Sequence, residues 1–99
     1  MKVFISMPMK GKTAEEISIE LEKNLEEVKT LTSSSMELLD ANLSLGDTAT
    51  EYDYIGESIK LLGKADAIYF ADDWQSSDSC LVECVVAELY CPDKIIQKK

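Results

Sequence analysis

The sequence contains no histidine. An imidazole general base is therefore excluded, and proton transfer falls to Asp, Glu, Lys, Tyr or Cys. Basic residues are scarce too, 10 against 19 acids, for a net charge of −9. A field of that sign repels phosphodiester backbones, so nucleic acid is not an expected partner. A single mononucleotide is still admissible, because it needs only a few local donors. Long apolar runs are absent as well. The opening "MKVFISMPMKGK" carries only a short one, too short for a signal peptide or a membrane span. No membrane partner is expected, and a cytoplasmic location is.

Cysteine is sparse and odd in number, with Cys80, Cys84 and Cys91. An odd count argues against a secreted disulfide scaffold. Their spacing of four and then seven residues sets them on one helical face, as small core residues rather than metal ligands. No metal or cofactor is expected.

What is present describes one small domain, residues 1–99, with 45% hydrophobic residues and enough charge to be globular. A chain of this size buries a modest core, so self-association into a homo-oligomer is an economical way to finish burial.

The apolar pattern alternates between two periods. "KVFIS" (Lys2 to Ser6) reads as a buried strand, followed by the loop "MPMKGK". Thr13 offers an N-cap, Glu15 and Glu16 suit a first turn, and Ile17, Leu21, Leu25 and Val28 form one face of a helix to about Thr30. "MELLDA" reads as a second strand and "NLSLGDTATEYD" as a polar loop bending at Gly46. "YIGESIKLLGKA" carries Ile55, Ile59 and Leu62 at helical spacing, with Gly63 as its end. "DAIYFA" is a third strand. Asp78 or Ser79 caps the next helix, whose expected buried face has Leu81, Val85 and Leu89 beside the cysteines. Pro92 stops that helix, and "KIIQK" is the last strand. The order β-α-β-α-β-α-β predicts an α/β fold, a small doubly wound, flavodoxin- or Rossmann-like sandwich on a four-stranded parallel sheet.

In such folds ligands sit beyond the carboxyl ends of the strands, so two loops matter most. In the first, Met7 to Lys12, backbone N–H groups, Gly11 and the lysines Lys10 and Lys12 suit an anion, although one glycine is no nucleotide-binding fingerprint. In the second, Asp72 to Asp78, the single tryptophan Trp74 either stacks on a planar ring or covers the sheet end. Ser76, Ser77 and Ser79 either bind a hydroxyl or phosphate or cap the following helix. Asp72, Asp73 and Asp78 gather there as candidate acids. Glu83 lies a turn into the helix; it is either an acid that suits the helix dipole or a nucleophile or base facing a ligand.

The stretch "KVFISMPMKGKTAEEI" resembles the opening of the nucleoside 2-deoxyribosyltransferase-like superfamily. "ADAIYFADDWQSSDSCLVECVVAEL" resembles the second signature of a small, often phage- or prophage-borne branch of it, through Asp66, Trp74, Ser77, Ser79–Cys80, Glu83 and Ala87. The resemblance implies that Glu83 attacks the anomeric carbon of a nucleoside or nucleoside 5′-monophosphate and releases the base from a glycosyl-enzyme. Water or a second base then takes the sugar. It further implies Asp72, Asp73 or Asp78 as the acid for the leaving base. The substrate would be bound by the loop of Met7, Pro8, Met9, Lys10 and Gly11 with Trp74, Ser77 and Ser79, and a neighbouring subunit would complete the pocket. Two positions depart from the pattern. Ser58 stands where catalytic relatives carry Asp, with Glu57 next to it, and Ser79 stands where many have Gly. A non-catalytic nucleotide-binding module and an oligomeric interaction protein are the rival expectations.

Overall fold

A computed structural model describes residues 1–33, 35–39 and 48–98. Four strands form one all-parallel sheet: β1 (Lys2–Ser6), β2 (Glu37–Leu38), β3 (Ala67–Phe70) and β4 (Ile95–Lys98), in spatial order β2-β1-β3-β4. Three helices connect them: α1 (Ala14–Thr32), α2 (Glu51–Lys64) and α3 (Asp78–Tyr90). The architecture is the small doubly wound α/β fold that the alternating pattern predicts.

Side chains alternate across a strand, so β1 and β3 each serve two cores. Val3, Ile5, Ala67 and Tyr69 point to one face, where Val28 and the partly buried Ile17, Leu21 and Leu25 of α1 meet them. Phe4, Ile68 and Phe70 point to the other, against Leu62 of α2 and Cys80, Cys84 and Ala87 of α3. Tyr69 is fully buried, and its hydroxyl donates to Glu27 of α1 at 2.7 Å, which satisfies the polar tip of an otherwise apolar ring. The same alternation carries Ser6 to the α2/α3 side.

Helix ends follow capping chemistry. Thr13 and Glu16 form a reciprocal capping box that starts α1, and Ser33 closes it in a left-handed conformation (φ 52°), two residues beyond the expected end. A second box, Thr50 with Asp53, starts α2 at Glu51 rather than near Tyr54, because the two side chains satisfy the first free backbone N–H groups. Gly63 does not end α2, which runs on to Lys64. The second strand is shorter than "MELLDA", and Asp40, Ala41 and the expected bend at Gly46 lie outside the described residues. At the other edge the register slips between Ile68 and Tyr69, which pair with Ile95 and Gln97, so Ile96 is an extra residue in β4.

The expected inner face of α3 holds at Cys80 and Cys84 but is reversed at its aliphatic residues, and Cys91 falls just past the helix as its C-cap. Leu81, Val85 and Leu89 are 41%, 55% and 70% exposed, whereas Cys80, Glu83, Cys84 and Ala87 face the sheet. Small residues let the helix lie close against β3, and the bulky aliphatics are left outside. Ala87 has no exposed surface, so Ala87→Leu overpacks that contact. The substitution is expected to cost about 1–3 kcal/mol, read as a lower urea midpoint with an unchanged slope.

Candidate functional site

The winding of the chain sets where a ligand fits. From β1 the chain moves to β2 through α1 on one face, then returns past β1 to β3 through α2 on the other. The carboxyl ends of β1 and β3 therefore border the switch in winding direction, the usual crevice of an open parallel sheet. A cleft of about 1160 Å³ opens there. Its floor and walls come from the end of β1, the first turns of α1, Leu38 of β2 and Leu39 just after it, one face of α2 and the start of α3.

Glu83 lines this cleft yet is only 6% exposed. Of the two positions held open for it, the solvated first-turn acid is excluded by this burial. The Ser6 hydroxyl, from the end of β1, donates to Glu83 Oε1 at 2.7 Å, and the Ser58 hydroxyl of α2 donates to Oε2. Burial pushes the Glu83 pKa above the ordinary carboxylate value, and the Ser58 and Ser6 hydroxyls pull against that rise by favouring the anion. Cys80, a turn earlier, is fully buried, and burial likewise pushes its thiol upward.

The first loop sits at the cleft as expected. Met7, Pro8, Met9 and Lys10 line it, with Met7 buried and Lys10 exposed. Gly11 follows at φ 81°, a conformation that favours glycine, with open space around its missing side chain. Lys12 is committed to Glu20 at 2.6 Å, which leaves Lys10 as the cation on the cleft wall among the described residues.

The second loop divides. Ser77, Asp78 and Ser79 line the cleft at the amino end of α3, together with Ser76. The cap of α3 is Ser77 rather than Asp78 or Ser79: its hydroxyl accepts the Cys80 N–H, and Asp78 becomes the first helical residue. Asp72 and Asp73 are exposed and do not line the cleft. Trp74 is 8% exposed and packs on Phe70 with ring centroids 5.5 Å apart, so it covers the sheet end and offers no platform in the cleft. Glu57 does not substitute for an acid at Ser58; it turns to Lys60 at 3.0 Å. Asp66 sits at the amino end of β3, where it accepts the Lys2 N–H at 2.7 Å.

Two contributors escaped the sequence reading. Ser6 had a usable signal, a polar residue closing an apolar strand at its carboxyl end. Tyr54, 39% exposed on the cleft, lies one turn before Ser58 on the same face of α2, and Ile55 lines the cleft beside it. Among the described residues no cluster of three or more Cys, Asp or Glu gathers as metal ligands would, and no helix is long and apolar enough to cross a membrane. Compared with known proteins, the chain matches no family model, no curated protein and no solved structure.

A carboxyl group whose pKa is raised by folding binds protons more tightly folded than unfolded. The stability it contributes is complete below its unfolded pKa and is lost as pH rises through the folded value. Glu83→Gln removes that loss. Urea midpoints from about pH 4 to about pH 8 are expected to show the variant gaining on the parent as pH rises. A constant difference between them would contradict the burial of this acid.

Proposed function

We propose that this protein cleaves or exchanges the N-glycosidic bond of a nucleoside or nucleoside 5′-monophosphate, with Glu83 as nucleophile. The observation that carries the reading is the one buried carboxylate among the described residues, fixed on the wall of the switch-point cleft. Burying an acid costs stability, and such acids cluster where they do work that an apolar residue cannot. The cleft has the volume of a small-molecule site, with apolar walls from Met7, Met9, Ile17 and Leu21 for a planar base. Lys10, Ser77 and Ser79 at the amino end of α3 suit a phosphate. Resemblance to the nucleoside 2-deoxyribosyltransferase-like superfamily in the first loop and around Glu83 supports the same assignment.

In the proposed reaction a lone pair on Glu83 Oε2, the oxygen beside cleft-lining Ser58, bonds to the anomeric carbon. The C–N bond breaks as that bond forms, and its electron pair leaves with the base nitrogen. Asp78, the other acid on the cleft wall among the described residues, supplies the proton. Water or a second base then attacks the same carbon from the opposite face and gives up its proton to the Asp78 carboxylate, and Glu83 departs as carboxylate. No cofactor enters these steps. A non-catalytic nucleotide-binding module is the second reading, and one observation favours it: Ser58 stands where the catalytic pattern has an acid, and Glu57 is turned away to Lys60.

Glu83→Gln separates the two. Enzyme is incubated with nucleosides and 5′-monophosphates, released base is followed by chromatography, and binding is followed by thermal shift. For the enzyme, the variant loses base release and keeps a ligand-induced shift, about 2.7 kcal/mol at one hundred times the dissociation constant. A shift without base release in the parent favours the module.

The outer face of α3 supports a homo-oligomer. Leu81, Val82, Val85, Leu89 and Tyr90 form an apolar stripe, 38% to 81% exposed and bordered by the exposed Glu88, on a chain whose net charge otherwise keeps copies apart. A second copy on this stripe would border the cleft, because Leu81 and Val82 lie within about a turn of Asp78 and Ser79. Light scattering is expected to give a multiple of 11.0 kDa for the parent and a smaller mass for Leu89→Glu. A monomeric parent overturns the assembly.

A further inference from the structure

We propose that Ser6 and Ser58 act together as positioning residues that hold Glu83 as an oriented anion. The proposal rests on the nucleophile reading for its kinetic consequence alone. Its structural claim stands on the contacts.

Apart from the Tyr69 hydroxyl and the cysteine thiols, the buried polar or charged side chains among the described residues are Ser6 and Glu83. Each Glu83 oxygen receives one hydroxyl from a different element. Oε1 is held from the sheet by Ser6, and Oε2 is held from α2 by Ser58. Two donors arriving from separate elements fix the plane of the carboxylate, which one donor would leave free to rotate about its last bond. The donors also select a charge state. A carboxylate only accepts, so both hydroxyls can donate to it at once. A protonated carboxyl carries its own O–H, and one serine would have to turn round and accept.

The clamp therefore opposes burial, which favours the neutral acid. It supplies orientation and favours the charge without an ion pair: Lys12 is paired with Glu20 and Lys60 with Glu57, the cleft-wall Lys10 and Asp78 make no contact with Glu83 among those that set its pKa, and burial pushes the nearby Cys80 thiol up. A second carboxylate at position 58 would hold Glu83 only by sharing a proton with it. A serine there favours the ionised form of Glu83 by donation alone.

The test is the side-chain carboxyl signal of Glu83 in a carbon-13 NMR titration, assigned by its absence in Glu83→Gln. Parent, Ser6→Ala, Ser58→Ala and Ser58→Thr are compared, with amide dispersion reporting that each is folded. The titration midpoint is expected to move to higher pH in both alanine variants and to return toward the parent in Ser58→Thr. With a substrate that is turned over, kcat falls roughly ten- to hundred-fold in the alanine variants while KM changes little. The acidic limb of the pH profile moves with the carboxyl midpoint. A midpoint that stays at the parent value in either folded alanine variant overturns the clamp, whatever the activity. Shifted midpoints in a protein that releases no base uphold the clamp and overturn the nucleophile reading instead. Should one alanine variant fail to fold, the other decides, with Ser58→Thr as its control or Ser6→Thr in its place.

Discussion

The contact on which the site depends is the meeting of Ser6, Ser58 and Glu83. It ties the end of β1, the middle of α2 and the second turn of α3 at one point, its outer members 77 positions apart in the chain. Burial of a carboxylate works against folding, and its two hydroxyl donors offset that penalty only while all three elements are in register. Few arrangements of this chain satisfy it. The parallel pairing of β1 with β3, the close approach of α3 to the sheet and the phase of α2 are each needed to bring one of the three side chains in.

That close approach has its own cause in the sequence. Cys80, Cys84 and Ala87 are small, and they let α3 settle low enough for Glu83 to reach the carboxyl end of β1. Larger inward residues would lift the helix and open the cleft floor. The reversed face of α3 and the geometry of the site are therefore one fact. The helix gives its small side to the sheet to place an acid, and its bulky side is left for another surface.

How much of this was legible in the sequence varies with the kind of signal. The strands, their parallel sheet and the face of α1 follow from apolar periodicity, and Thr13 from its capping pattern. The start of α2 was also written there, as Thr50 and Asp53, but a polar stretch drew attention away from the box within it. The face of α3 was legible at Cys80 and Cys84 but not at its aliphatic residues, because apolar residues occur nearly all round it and periodicity cannot choose among them. Trp74 was left open between ring platform and sheet cover, and packing on Phe70 settles it as cover. Glu83 was singled out from its place in the helix, but its partners required three-dimensional proximity. Neither Ser6 nor Ser58 is near it in sequence.

The sheet edges carry a different consequence. Among the described residues β2 pairs through two positions, and β4 loses register at its extra Ile96. A straight, fully hydrogen-bonding edge recruits strands from other molecules; a stub and a bulged strand present a poor template for either parallel or antiparallel addition. In a domain whose sheet is otherwise short and apolar, these two imperfect borders guard against fibrillar stacking. A contact between folded copies would then fall to the helical surfaces.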